Sequence, residues 1–289
     1  MSGIMMNLLG SGKPVVREQA LVFSGGSSIE LYEWLPGTGF GINYSNSNLA
    51  YNYGGTMNGV KFAHNKDVIF RGFSGPSPYV TANAWNTSTG VGAAYSNPSS
   101  LVTIYAYGGV GINSNDSAVV IGGQSGGSGQ PEVAAWAFSS SSGFGSKYSN
   151  PSSLVGDTVR FVDFDPTDSN VVMGVRSTYD GYSVLKYAWS NSSGFGSKTT
   201  YSGIDFGVCY KIKFHSSGNY AVLGTSGSPY LRSYNYSSSG FGSLRSSASG
   251  VSGEVDGVDF NSNGTVVAAS SFSSPYVHAY SYSSGYFGS

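Results

Sequence analysis

Few residues of this chain are of the types and spacings that do chemistry. Gly10-Ser11-Gly12-Lys13-Pro14 has the outline of a phosphate-binding loop, but Asn7 stands where the first glycine of such a loop belongs. Pro14 takes the place of the Ser or Thr hydroxyl that should reach the metal, so the segment reads as linker. His64, His215 and His278 are the only histidines, and the first two fall in equivalent turns of different repeat units. That spacing predicts no zinc site. Cys209 is the single cysteine, which rules out a disulfide within the chain and a Cys-x-x-Cys metal knuckle. Its setting, Phe206-Gly207-Val208-Cys209-Tyr210, is that of a small buried hydrophobe. Asp163 and Asp259 precede a strand-ending Phe, and Lys61 and Lys213 take that place in other units, charges expected to line a common channel or one rim. Asp116, Asp168 and Asp180 fall in turns, where capping of the local backbone accounts for an Asp. No nucleophile elbow and no paired carboxylates stand out. The expectation from these residues is no catalytic group, no cofactor, no metal and no enzymatic activity.

Aromatic residues are the other candidates. Trp34, Trp85, Trp136 and Trp189 read as one register, continued by Tyr236 and Tyr282 in the later units. Such a row either stacks on sugar faces or packs as wedges between neighbouring sheets, and its repetition in every unit favours packing. Phe40, Phe144, Phe195 and Phe241 each sit between two glycines, as in a tight turn with the ring tucked inward. A candidate binding rim comes from the turns Ser77-Pro78-Tyr79, Ser228-Pro229-Tyr230 and Ser274-Pro275-Tyr276, together with Gln124 and Gln130 of the Gly/Ser-rich stretch Gly122 to Pro131. Tyrosines repeated along one rim, Tyr79, Tyr230 and Tyr276, either suit recognition of a protein surface or a glycan, or simply open the next strand after a turn that Pro fixes, and the second is favoured.

What must position these residues is a repeat. The Gly-Phe-Gly elements and their degenerate copies centre on residues 40, 91, 144, 195, 241 and 287, spaced by 46 to 53 residues. Each is preceded by an alternating run ending in an aromatic. Each of the first three is followed by a Tyr-Ser-Asn segment such as Tyr95-Ser96-Asn97-Pro98. Next come a short strand ending in Phe (Val60-Lys61-Phe62, Val162-Asp163-Phe164, Ile212-Lys213-Phe214, Val258-Asp259-Phe260), a polar turn, and a second strand such as Val171-Val172-Met173. The runs are short, rich in Val, Ile, Tyr and Phe, and bounded by Gly, Pro, Asn and Ser, with no sustained 3.6-residue period. They predict an all-β chain with essentially no helix. Three clear strands and a weaker fourth per unit make an antiparallel meander that cannot bury both faces alone, and five or six of them packed in a ring can. The fold expected is a β-propeller of four-stranded blades, with six blades favoured and five or seven as alternatives. Residues 1–18 are expected to form an N-terminal segment whose Ile4 to Leu9 has two alternative places, the missing inner strand of the first unit or a ring-closing outer strand of the last, and residues 19–289 a single propeller domain.

Composition sets the remaining bounds. Of 289 residues only 10% are charged, against roughly 25% in an ordinary soluble domain, and the net charge is -1. Aromatics at 15% argue for a packed chain over a disordered one. No basic run tracks a nucleic-acid backbone, so a nucleic-acid partner is not expected. No apolar run reaches the length of a membrane span, and the first nine residues lack the basic start of a secretory signal.

The Val-x-Phe-x-Pro/Ser-x-Gly-x-x-Val-Ala element, followed by a strand ending in Trp, resembles a WD40-type propeller repeat over nearly the whole chain after about residue 18. The phrasing from Gly143 to Pro151 is similar to repeats of bacteriophage-encoded propellers. That resemblance implies a non-catalytic component of a virion, associated with capsid, tail or fibre and docking through its faces on other virion proteins or host-surface molecules. It implies a virion location after synthesis in the host cytoplasm, without signal-peptide secretion. The alternative is a glycan-binding, lectin-like propeller module.

Overall fold

The computed structural model describes the backbone of residues 18–23, 29–35, 39–44, 56–64, 68–75, 77–86, 89–99, 104–107, 109–125, 131–176, 181, 183–204 and 206–288. Side chains are described for the same residues save 18–31, 33–40, 42, 56, 57 and 125. The linker at Gly10 to Pro14, the segment Ile4 to Leu9, Gln130 and Asp180 lie outside the described residues, as do the side chains of Trp34 and Phe40.

All regular structure among the described residues is strand. The alternating runs explain this, because β-branched and aromatic side chains fill a pleated surface while Gly, Pro and Asn supply the turns. Strands β1 (Glu18–Phe23), β2 (Ile29–Leu35) and β3 (Gly39–Tyr44) form a three-stranded sheet. Strands β4 (Thr56–Phe62), β5 (Val68–Ser74), β6 (Val80–Asn86) and β7 (Gly90–Ala94) make the first four-stranded meander. In the next unit a two-stranded ribbon of β8 (Ile104–Tyr105) and β11 (Gln124–Ser125) accompanies a meander of β9 (Val110–Ile112), β10 (Ala118–Gly122), β12 (Val133–Ser139) and β13 (Gly143–Lys147). Strands β14 (Val159–Phe164), β15 (Asn170–Val175), β16 (Val184–Ser190) and β17 (Gly194–Thr200) follow in simple order. So do β18 (Cys209–Phe214), β19 (Tyr220–Thr225), β20 (Leu231–Ser237) and β21 (Gly240–Ser247). The last meander is β22 (Val255–Phe260), β23 (Val266–Ser271), β24 (Val277–Ser283) and the short β25 (Tyr286–Phe287).

The fold is an all-β, five-bladed β-propeller with four-stranded antiparallel meander blades. The favoured count of six blades therefore gives way to the alternative of five. The reason lies in the first unit, which begins at its second strand and builds only the three-stranded sheet β1–β3. The chain divides into two compact units. One is Asn48–Asn86 with Val91–Cys209, and the other is Met1–Ser47, Thr87–Gly90 and Tyr210–Ser289.

Burial between successive blades holds each unit together. In the Asn48–Cys209 unit, Val68 and Phe70 of β5 pack with Ile112, Trp136 and Phe138 of the following blade. Phe70 meets Phe138 edge-on at 4.7 Å. One blade further on, Val120 and Ala135 pack with Val162, Phe164, Tyr187 and Trp189. In the other unit Val222 and Leu231 pack with Val258, Phe260 and Tyr282. Each such side chain contributes roughly 1.5–3 kcal/mol by leaving water. Burial raises the pKa of the Tyr282 phenol, with its hydrogen bond to Ser233 acting the other way. That part of the stability is present below pH ~10 and is lost as pH rises through the raised folded value.

The Gly-Phe-Gly elements acquire a physical reason here. Gly90, Gly143 and Gly194 hold φ of 79°, 79° and 78°, a region that favours glycine. A Cβ there would lie 2.8, 3.1 and 2.9 Å from the Cβ of Tyr44, Tyr95 and Tyr148, the tyrosines of the preceding Tyr-Ser-Asn segments. The Tyr95 and Tyr148 hydroxyls donate to the carbonyls of Ser140 and Asn191, each at 2.9 Å. Each tyrosine thus clamps the outer hairpin of the next blade.

The turns between first and second strands are latched in the same way. Asp116 and Asp168 have positive φ, and their carboxylates reach the preceding blade's turn. Asp116 accepts from the His64 N–H at 2.8 Å, and Asp168 accepts from the Ser114 N–H at 3.0 Å. Local capping falls to Asp165, 2% exposed, which accepts from the N–H groups of Ser169 and Asn170 and from the Asn170 amide. Burial lowers the pKa of Lys186, and Asp165 opposes that shift. Asp165→Ala strands these buried donors, and a loss of about 2 kcal/mol is expected, read as a lower urea midpoint with an unchanged slope.

Candidate functional site

The first strand of a blade, like the outer hairpin, departs from a regular ladder. Register shifts interrupt β4 between Met57 and Gly59, β14 between Val159 and Phe161, and β22 between Val255 and Gly257. The extra residues are Asn58, Arg160 and Asp256, all polar and all half-buried. A β-bulge turns one side chain out of the ladder, and bulges recur where a sheet aims a residue at a site. The same position in three blades thus presents three different chemistries while the apolar positions around it repeat.

In the Tyr210–Ser289 segment this strand end carries two hydrogen-bonded pairs. The Tyr210 hydroxyl donates to Glu254 Oε2 at 2.8 Å, and the Ser270 hydroxyl donates to Asp256 Oδ1 at 2.6 Å. Glu254 is anchored by its own carbonyl, which accepts from the Phe272 N–H at 3.0 Å. Phe272 stands edge-on to Tyr210 at 6.3 Å and is 54% exposed, an apolar wall open to solvent beside the carboxylate. In the Asn48–Cys209 unit, the Arg160 guanidinium lies over the Tyr107 ring at 5.2 Å. Tyr107 adjoins Tyr105 at 6.4 Å, and Tyr105 adjoins Tyr79 at 6.1 Å.

The residues singled out by sequence lie mostly elsewhere. Trp85 and Trp189 are 4% and 7% exposed, and Tyr236 and Tyr282 are buried with them. Trp34, Trp189, Tyr236 and Tyr282 stand opposite Phe40, Phe195, Phe241 and Phe287 across the outer hairpin. Trp136 does not share that register: Phe138 faces Phe144, and Trp136 pairs with Lys147. Alternation hides the two-residue offset, since positions two apart point to the same face. Phe144, Phe195 and Phe241 pack edge-on against Phe138, Trp189 and Tyr236 at 5.5, 5.1 and 5.1 Å.

The proposed rim is uneven. The three Ser-Pro bonds before its tyrosines are all cis. Tyr79 is buried under Tyr105, Tyr230 is half-buried, and Tyr276 is exposed. Gln124 is exposed and pairs with Tyr105 in the β8–β11 ribbon. The alternating charges pair with one another, Lys61 with Asp163 and Lys213 with Asp259. His278 and Ser271, bonded at 3.2 Å, look like a catalytic dyad, but Thr225 and Arg232 hold the same loop in the preceding blade. Ser271 also contacts the carbonyls of Ser273 and Pro275, so the pair fastens that turn. Among the described residues no three His, Cys, Asp or Glu side chains group as a metal site, and no helix is long and apolar enough to cross a membrane.

Sequence reasoning missed Glu254, Asp256 and Arg160. The signal was present as non-repetition: aligned on the strand-ending Phe, this row reads Asn58, Arg160, Tyr210 and Asp256.

No protein-family model and no curated protein matches this chain. Solved structures do. One is a protein of Bacteroides fragilis assigned as a 6-phosphogluconolactonase, with TM-score 0.69 and 13% identity over 98% of this chain and 80% of that one. Another, assigned the same way, is from Bacteroides uniformis, with TM-score 0.66 and 11% identity over 91% and 77%. At these identities the likeness is one of fold. It overturns the resemblance to phage-encoded WD40-like propellers. The expectations built on that resemblance fall with it: a non-catalytic role, virion or host-surface partners, a virion location, and the lectin-like alternative. Both of these solved structures, which match 98% and 91% of this chain, are assigned as enzymes.

Proposed function

We propose that this chain is a lactone-hydrolysing enzyme acting on sugar-derived lactones, with Glu254 as the carboxylate that takes the proton of the attacking water. The observation that carries this reading is the Tyr210–Glu254 pair. The phenol occupies Oε2, and Oε1 has no hydrogen-bond partner among the described residues. Glu254 is half-buried, so it is shielded enough to be held in one geometry and open enough to meet substrate. Phe272 offers a face for the C–H side of a sugar ring. The fold shared with proteins assigned as 6-phosphogluconolactonases supports the reaction class.

The chemistry needs few parts. Water adds to the lactone carbonyl carbon as Oε1 of Glu254 takes its proton. The tetrahedral intermediate then breaks the bond between that carbon and the ring oxygen. The proton passes from Glu254 to the departing ring oxygen, giving the open hydroxy acid. Tyr210 positions the carboxylate and does not itself transfer the proton.

The test is a panel of five- and six-membered sugar lactones, with and without a phosphate, followed by acid release in a pH-stat. Turnover of roughly 1–10³ s⁻¹ on at least one of them is expected. Rates equal to spontaneous ring opening across the panel would sink the reading.

A further inference from the structure

Arg160 is a cation for which the described chain supplies no anion. Two other basic groups of the same unit pair with carboxylates, Lys61 with Asp163 and Arg176 with Asp157 at 3.6 Å, and Arg71, Lys147 and Lys198 donate to amide or carbonyl oxygens. Arg160 instead lies on the Tyr107 ring, and its Nε is shut off from solvent without a hydrogen-bond partner. A part-buried guanidinium left this way is costly unless an anion completes it, and its planar fork matches the oxygens of a carboxylate or phosphate. The bulge of β14 is what turns it out of the ladder. From Tyr107 a run of rings continues to Tyr105 and then to Tyr79, with Tyr105 38% exposed and Gln124 exposed on the strand paired with it. Ring faces beside an unpaired guanidinium are suited to a polyol that carries an anionic group.

We propose that Arg160, seated on Tyr107 with Tyr105 next to that ring, is a binding subsite for the phosphate or carboxylate of a small sugar derivative. The subsite lies within one unit of the chain, and its existence does not depend on the lactone-hydrolase reading.

Equilibrium titration with glucose 6-phosphate, glucuronate and glucose tests it on the unmodified chain and on Arg160→Gln and Arg160→Lys. At least one charged probe is expected to bind about 10- to 100-fold more tightly than glucose. Preference for glucose 6-phosphate identifies a phosphate subsite, and preference for glucuronate a carboxylate subsite. Arg160→Gln abolishes the preference, and Arg160→Lys, which keeps the charge but loses the fork, retains a fraction of it. The proposal is overturned if neither charged probe outbinds glucose, or if Arg160→Gln keeps the preference. Should Arg160→Gln fail to fold, Arg160→Lys decides: full retention of the preference counts against the guanidinium, and partial loss supports it. Because binding is read without turnover, an inactive chain that still discriminates charged probes separates failure of the enzymatic reading from failure of this one.

Discussion

Glu254→Gln is expected to lower kcat for lactone opening by about 10²–10⁴-fold, the usual contribution of a positioned general base. Gln is the informative replacement because it keeps the shape and can still accept from the Tyr210 hydroxyl at the position Oε2 now holds. The anchoring bond from the Phe272 N–H to the Glu254 carbonyl is a backbone contact and survives the change. What is lost is the ability to take a proton from water. KM should change little, since a base that acts in the transition state adds little to substrate binding. Tyr210→Phe removes the orienting hydrogen bond but leaves the carboxylate, so a smaller loss of about 10-fold is expected. Steady-state kinetics on the best lactone of the panel reads both. Full activity in Glu254→Gln, with a native circular dichroism spectrum, would remove Glu254 from the mechanism.

The contrast between fold and site in this sequence has a physical origin. Strand runs, turn residues and the Gly-Phe-Gly hairpins recur because every blade must meet its neighbour in the same way. Phe164 against Trp189 and Phe260 against Tyr282 are two copies of one contact. Such repetition is legible from spacing alone. The role of the Tyr-Ser-Asn tyrosines is not, because their partner is a glycine in the next unit, some 46 residues away for Tyr148 and Gly194. Trp136 is misplaced by two residues because a strand's period of two cannot separate it from Phe138. The candidate site is least legible. A bulge adds one residue without a mark in composition, and Asn58, Arg160 and Asp256 share no residue type. Chemistry in a repeat protein sits where the copies differ, whereas a reading built on repeats attends to where they agree. The same bias underlies the virion expectation, which rests on the style of the repeat and on no functional residue.

Gly224→Val is expected to cost about 3 kcal/mol, at the upper end of what overpacking usually does. Gly72, Gly122, Gly174 and Gly224 stand at matching places in the second strands β5, β10, β15 and β19. Each lies where the first strand or strand-lead of the following blade comes close. At Gly224 a Cβ would fall 2.7 Å from both Cγ1 and the carbonyl oxygen of Val255. The side chain of Val255 can rotate, but its carbonyl cannot move without disturbing the β22–β23 ladder, where Val255 faces Ser271. Gly174 shows the same contact in the other unit, where a Cβ would fall 2.5 Å from the Cys209 carbonyl oxygen. These glycines are therefore required by close approach of backbone, since none of the four has a positive φ. Gly203 provides the comparison. It is exposed, has no atom within 4 Å of a Cβ and needs no left-handed backbone. Gly203→Ala should leave stability unchanged or raise it by about 0.4–1 kcal/mol through the unfolded chain. Urea unfolding of the two variants beside the parent measures the difference, with equal slopes confirming that compactness is unaltered. A Gly224→Val variant within about 0.5 kcal/mol of the parent would mean that the blades yield at this seam, and the close backbone approach would no longer explain why glycine recurs there.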